Sequence, residues 1–292
     1  MAVIGSGSAN GACSLLHAAG LGYGASLALD LQAKVKLLDK KPRKDLDDPD
    51  DLLAKVLDSW KSAGHNLPNG EFFWSVTSKI PPRQGLKSSS AISVAAIRAL
   101  CDATDTNLAD GEIVDIAAAA QIAAGVSITG SFDDSWAAIE GGWKLVDINA
   151  ESAEQGLLLE APGPNSADWT VLILLRGDRV EKPSLESFSF QQQSFAQALT
   201  ALQEGKDLVA LTLNGRAVVS ALNDPMGRRM TNDAFVNGAR AAGMTGSGPA
   251  LVIFLPSVSK PTIERLKNWY NRYDDVEIME TSVLNKEIVY EQ

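Results

Sequence analysis

The chain is short of the residues that most often build metal and redox sites. Its 292 residues include two cysteines, Cys13 and Cys101, and two histidines, His17 and His65. Neither pair has ligand spacing, which argues against a zinc site or a Cys-x-x-Cys redox motif. Nothing points to a His-based triad. Both thiols lie among small apolar residues and are expected in the core, with no disulfide, as suits a reducing cytoplasm. Basic charge is also scarce. The 26 Lys and Arg against 36 Asp and Glu leave a net charge of -10, and the pI is near 4.8. A nucleic-acid binder needs a basic face to neutralise phosphates, so no nucleic-acid partner is expected. No uncharged apolar run reaches the roughly 18–20 residues that span a bilayer, so no membrane partner is expected. A basic start followed by an apolar run is missing as well, so no signal peptide is expected. The Gly-x4-Gly-Lys-Ser/Thr phosphate loop is absent, and any nucleoside triphosphate must be held another way.

What is present suits a folded, soluble chain. With 45% hydrophobic and 21% charged residues, it can fill a large core and divide into two domains. Much of the acidic surplus falls in Asp45, Asp47, Asp48, Asp50 and Asp51, expected as a solvated loop or helix entry.

Residues 26–38 alternate, with Leu27, Leu29, Leu31, Ala33, Val35 and Leu37 in one phase. Period two over that length predicts a half-buried antiparallel strand. A helix is predicted over 50–63, ending near Gly64, and a strand over 72–80 with Trp74, Val76 and Ile80 on one face. Helices follow over 89–102, with Ile92, Ala96 and Ala99 in a stripe, and over 111–124, stopping at Gly125. Trp143–Ile148 reads as a short strand, and Glu160-Ala161-Pro162-Gly163-Pro164-Asn165 as a linker. Beyond it come a buried strand Thr170–Arg176 and a long helical region from 191 to 241, broken near Asn223-Asp224-Pro225-Met226-Gly227. Then come strand Ala250–Leu255, helix 259–272 and strand Val276–Glu280. If Ala241–Thr245 is also extended, this half is a split βαβ, ferredoxin-like layer. The fold class is therefore α+β, with a mixed N-terminal domain over 1–162 and a ferredoxin-like domain over 163–292.

The opening Ala2-Val3-Ile4-Gly5-Ser6-Gly7-Ser8-Ala9-Asn10-Gly11 looks like a short strand leading into a dinucleotide turn. Asn10 occupies the third glycine position, and the next strand alternates instead of being buried on both faces. Both features disfavour a nicotinamide-dependent oxidoreductase. The small residues through Gly20-Leu21-Gly22-Tyr23-Gly24 let backbone approach a ligand or another strand.

Three segments carry chemistry. Pro81-Pro82-Arg83-Gln84-Gly85-Leu86-Lys87-Ser88-Ser89-Ser90-Ala91 runs from a glycine turn into a helix start. Free N–H groups, the helix dipole and hydroxyls there suit a phosphate, although a plain serine N-cap would look the same. Thr129-Gly130-Ser131-Phe132-Asp133-Asp134-Ser135, followed by Glu140-Gly141-Gly142, offers paired carboxylates for a metal or a hydroxyl proton, or simply a helix cap. Gly243-Met244-Thr245-Gly246-Ser247-Gly248-Pro249 is a turn that lets backbone approach a ligand.

In order and together, these segments resemble the GHMP kinase superfamily. Within it the chain is similar to the archaeal-type shikimate kinases, on Gly85–Ala91 with Lys87 where most relatives have Gly, on Ile128–Asp134, on Leu213-Asn214-Gly215 and on Gly246–Ala250. The early Gly22, Gly24 and Leu29-Asp30-Leu31 agree. The resemblance implies transfer of phosphate from ATP, with Mg2+, to the 3-hydroxyl of shikimate, on the route to chorismate and aromatic amino acids. Homoserine, mevalonate or a sugar are the alternative acceptors, and a non-catalytic binding protein on the same scaffold is a further one. It implies that Pro82, Arg83, Gln84, Gly85, Leu86, Lys87, Ser88, Ser89, Ser90 and Ala91 bind the nucleotide. Lys87 and Asp134 would be catalytic. Ser89 and Asp133 would hold the metal. Asp134, Gly246, Ser247, Gly248 and Arg228 would meet the acceptor, with Arg83 and Arg229 as further cations for an anionic one. Many relatives carry a Glu on the helix before the catalytic Asp. Here that helix is Ile116–Ala124, without a carboxylate. A cytoplasmic location is expected, and a homodimer is left open.

Overall fold

The computed structural model describes residues 2–43, 46–178 and 184–286. Its first half is built on one long strand. The alternation that starts at Leu27 belongs to β2 (Tyr23–Leu38), which pairs antiparallel with β1 (Val3–Leu16). On its other edge β2 serves two partners: β3 (Phe73–Ser78) along Ala33–Leu38 and β4 (Trp143–Asp147) along Tyr23–Leu27. β5 (Leu157–Ala161) adds to β4 and completes a five-stranded antiparallel sheet. Helices α1 (Leu52–Ser62), α2 (Ser88–Thr104), α3 (Asp110–Ala123) and α4 (Phe132–Ile139) belong to this half.

Two expectations need correcting here. The start of the chain is a fourteen-residue strand, not a short strand and glycine turn. Its glycines serve helix packing: a Cβ on Gly5 or Gly7 would collide with the backbone oxygens of Ala99 or Ala95 in α2. After β1 the chain passes a 3-10 turn, Ala18–Gly20, straight into the antiparallel β2, where a dinucleotide fold would enter a helix. The second correction concerns β2, which is half-buried only in its later part. Residues Gly24–Leu29 are buried on both faces, and exposed positions begin at Asp30, Lys34 and Lys36. The polar phase of the early part is covered by α4, whose Asp133 packs directly over Gly24.

The second half holds β6 (Trp169–Leu175), α5 (Leu185–Ser189), α6 (Gln192–Gln203), α7 (Asp207–Ala221), α8 (Pro225–Val236), β7 (Ala241–Met244), β8 (Leu251–Pro256), α9 (Lys260–Tyr270) and β9 (Glu277–Thr281). The strands form an antiparallel sheet in the order β7-β8-β6-β9, the ferredoxin-like arrangement. The long helical region is three helices. It breaks after Gly205 (φ 69°) as well as at Asn223 (φ 48°), and it ends at Val236, with a turn over 237–240 leading into β7. The linker begins later than expected, because Glu160 and Ala161 still belong to β5.

After β9 the chain crosses back to the first sheet. Val283 bridges to Leu29. Leu284 accepts from Gly142 N at 2.7 Å and donates to Ala28 O at 3.0 Å. Asn285 Oδ1 accepts from Ser166 N at 2.8 Å, and its Nδ2 donates to Pro162 O at 2.9 Å. Lys286 and Lys144 both pair with Glu160, at 2.8 and 2.6 Å.

Cys13 is fully buried, as expected, and burial pushes its thiol up to about 12. Cys101 is only half-buried, and neither forms a disulfide. In the acidic stretch, Asp48 receives the N–H groups of Leu52 and Leu53 at 3.0 and 2.9 Å and so caps α1. Asp45 lies outside the described residues. Among the described residues, no helix is long and apolar enough to cross a membrane.

Candidate active site

The serine-rich loop lies between the two halves of the molecule. Arg83, Gly85 and Lys87 all have positive φ, at 58°, 77° and 66°. The left-handed residue Lys87 is the N-cap of α2, and no side chain caps the helix. The first-turn N–H groups of α2 therefore stay available to an anion, as the serine-cap alternative would not allow. Gly85 is obligatory on two counts: its φ, and a Cβ that would strike Thr245 O in the late glycine turn. Thr245 Oγ1 donates to Gly85 O at 3.1 Å and accepts from Ser14 N at 3.0 Å. Ala12 N donates to Leu86 O at 3.2 Å, and Ala250 N to Gln84 O at 3.3 Å. The loop is thus pinned by β1 on one side and the 245–250 turn on the other.

These pins also sort its side chains. Leu86, Ser90 and Ala91 are buried. Gln84 Nε2 donates to Gly177 O at 2.7 Å, away from the helix tip. Pro82 and Arg83 are exposed, and Arg83 lies 3.8 Å from Asp50. Lys87, Ser88 and Ser89 are half-buried at the helix entrance.

Asp133 and Asp134 occupy the first turn of α4, whose N-cap Ser131 is also left-handed. Lys87 Nζ reaches Asp134 Oδ1 at 2.8 Å. Ser26 Oγ lies 2.7 Å from Asp134 Oδ1 and 3.0 Å from Asp133 Oδ2, so its one proton bridges the two carboxyls. Burial works to raise both acids, and their environments then separate them. Burial and the adjacent Asp134 push the Asp133 carboxyl up to about 8. For Asp134, burial is outweighed by the charge and hydrogen bond of Lys87, helped by Ser26 and His17. Its carboxyl is held below the usual carboxylate range. Burial works against the Lys87 ammonium, but Asp134 and Asp133 hold it above the ordinary lysine value. The fold therefore drives the two acids apart, Asp133 towards its neutral form and Asp134, with Lys87, towards the charged one.

Sequence reasoning missed three members of this cluster. Ser26 sits in the polar phase of β2, which reads as a solvent face until α4 covers it. Gln121, fully buried in α3, accepts from Ser90 Oγ at 2.8 Å and Ser89 Oγ at 3.3 Å and donates to Ser135 Oγ at 3.1 Å. One amide thereby ties the start of α2 to the start of α4. A lone polar residue inside the Ile116–Ala124 alanine run was the available signal. His17, just past β1, faces Ser247 with Nε2 3.2 Å from its Oγ.

The structure brings together Lys87, Ser89, Ser90, Asp133, Asp134 and the Gly246–Gly248 turn. It does not bring Arg228 or Arg229 into contact with them. Those arginines line a groove of about 460 Å³ along α8 with Asn223, Asp224 and Asn232, and Arg228 donates to Ser220 Oγ at 3.0 Å. Among the described residues, no group of three or more His, Cys, Asp or Glu could hold a metal ion on its own.

Residues 51–142 match the family model described as GHMP kinases N terminal domain. The chain is 31% identical over 260 residues to a shikimate kinase of Pyrococcus abyssi, covering 84% of this chain and 89% of that one. It is 30% identical to a shikimate kinase of Methanothermobacter thermautotrophicus, covering 72% of this chain and 71% of the relative. Among solved structures, the mevalonate kinase of Methanococcus jannaschii superposes with a TM-score of 0.74 at 17% identity, covering 96% and 98% of the two chains. The galactokinase of Lactococcus lactis, complexed with galactose, gives 0.71 at 14%, covering 97% and 94%.

Proposed function

The chain belongs to the GHMP kinase superfamily and, within it, to the archaeal-type shikimate kinases, and we propose that it moves the terminal phosphoryl group of ATP to the 3-hydroxyl of shikimate. The observation that carries this reading is the Lys87–Asp134 pair, set where the uncapped start of α2 and the first turn of α4 converge. Phosphoryl transfer asks the protein for positioning and charge neutralisation more than for covalent help.

In this reading the backbone of Gly85–Ser90 and the dipole of α2 cradle the ATP phosphates. Leu86 and Ala91 contribute only backbone there, since their side chains lie in the core. Lys87 offsets charge that develops on the transferring group. Asp134 receives the acceptor hydroxyl, orients it, and takes its proton late, when bonding to phosphorus has made that proton acidic. As Lys87 turns its charge towards phosphate, the burial it had offset raises the proton affinity of Asp134. The turn at Gly246–Gly248 closes the acceptor side. Arg228 is proposed for an acidic group on the acceptor, although its present partner is Ser220.

A bound Mg2+ would supply charge neutralisation for the leaving diphosphate. It keeps several waters and asks the protein for only one or two oxygens. Ser89 Oγ, half-buried on the first turn of α2, fits that need. Asp133 is 4% exposed, so it fits only when a cation beside it holds it ionised. We place the division between the domains at 162/163, between β5 of the first sheet and β6 of the second, and the enzyme in the cytoplasm.

The test is ADP release from ATP with shikimate, homoserine, mevalonate and galactose offered in parallel. Turnover with shikimate at least tenfold above the others supports the reading. Preference for another alcohol overturns the acceptor but leaves the reaction class.

A further inference from the structure

Asp134 gives only one of its two oxygens to the rest of the protein. Oδ1 takes the ammonium of Lys87 at 2.8 Å and the hydroxyl of Ser26 at 2.7 Å. Oδ2 has no partner among the described residues. The buried polar atoms left without a partner do not include it, so Oδ2 is the oxygen that meets the cleft. A carboxylate held at one oxygen by two donors and open at the other has a set direction in which to accept a proton.

The two donors differ in what else they do. In the reading above Lys87 offsets charge on the transferring phosphoryl group, and an ammonium that turns towards phosphate loosens its hold on Oδ1. Ser26 has no such second task. It is fully buried within β2, opposite Ser14 of β1 and Lys144 of β4, so paired strands fix its backbone on both sides. Its other polar contact is Asp133 Oδ2 at 3.0 Å. The Asp133 carboxyl is seated in turn on Gly24, where a Cβ would come within 2.6 Å of Asp133 Cγ. Strand, hydroxyl and second carboxyl thus back Asp134 from the core side, and this support needs neither Lys87 nor a phosphate.

Resting on the kinase reading above, we propose that Ser26 is a positioning residue for phosphoryl transfer. It keeps Asp134 Oδ1 engaged once Lys87 has turned to the phosphate, and so leaves Oδ2 aimed at the acceptor hydroxyl. The acceptor O–H bond breaks with its proton passing to Oδ2, as the new O–P bond forms and the bond from phosphorus to the departing ADP oxygen breaks. Being fully buried, Ser26 touches neither substrate and acts only through Asp134.

The experiment uses the full chain, ATP and the alcohol that the wild type turns over best. Ser26→Ala removes the hydroxyl, whereas Ser26→Cys fills its space with a weak donor. In Ser26→Ala kcat is expected to fall about tenfold, the scale of one hydrogen bond to a charged group, while the KM values for ATP and acceptor stay within about twofold. Ser26→Cys should keep the space filled and still lose most of that rate. In an Asp134→Asn background the Ser26→Ala change should cost less than about twofold, because the base it aims is gone. An unchanged kcat in Ser26→Ala overturns the proposal alone. So does wild-type kcat in Ser26→Cys, which marks a space-filling role. So does a tenfold loss that persists beside Asp134→Asn, which marks an effect that does not run through Asp134. A wild type inactive with every alcohol removes the kinase reading and this proposal together.

Discussion

Lys87 Nζ lies 2.8 Å from Asp134 Oδ1, and the two side chains are only 9% and 13% exposed. Each ion depends on the other for its charge in that setting, because removing one partner of a buried pair strands the other. Asp134→Asn is therefore expected to lower kcat at least about a hundredfold, the scale of a lost general base. The ATP KM should stay within about twofold, and the melting temperature should fall because Lys87 has lost its counterion. Coupled ADP release and thermal unfolding read the two effects. Near-normal turnover would take Asp134 out of the chemistry.

Lys87→Met keeps the apolar stem and deletes the charge. Burial then acts on Asp134 against Ser26 and His17 alone, without its main counterweight, so its carboxyl rises from its depressed position. Activity that needs ionised Asp134 is lost as pH falls through that value. The acid limb of the kcat/KM profile should therefore move to higher pH, together with slower transfer at every pH. A variant whose acid limb coincides with that of the wild type would show that Lys87 does not set Asp134.

Asp133 gives a prediction of opposite sign. Its carboxyl is raised from 3.8 to about 8. Its protonated form contributes stability that is complete below the unfolded value and is lost as pH rises through the folded one. Asparagine cannot ionise, so Asp133→Asn should lose less melting temperature than the wild type between about pH 5 and 8.5. Parallel melting curves across that range would refute the raised carboxyl.

Gln121→Leu fills the same buried space and leaves the hydroxyls of Ser90 and Ser135 without their amide partner. Unsatisfied buried groups cost about 1–3 kcal/mol. Denaturant unfolding should show that loss, and kcat should drop as the starts of α2 and α4 lose their tie. Wild-type stability in this variant would reduce Gln121 to a bystander.

The parts of the fold legible in the sequence were those where one face decides burial. Leu27 to Leu37 announced β2, and Gly64 and Gly125, at φ 87° and 67°, marked the ends of α1 and α3. What stayed hidden depends on which element covers which. Gly5 and Gly7 read as a turn because nothing local says that α2 will press against them. Ser26 read as a surface residue because α4, far along the chain, supplies its cover. The loop 81–91 and the pair 133–134 were visible because a glycine turn beside hydroxyls or acids is a local pattern. The contacts that join them, through Gln121, Ser26 and His17, are made by single residues with no repeating signal.

The return of Val283–Lys286 across the first sheet bears on how the protein is made. While the ribosome is still extending the chain, the seam along Ala28 and Gly142 has no partner. The early half must wait, with that edge unsealed, for residues translated well after it. Until they arrive the nascent early half presents an incomplete native surface, which makes it the stage most open to chaperone capture.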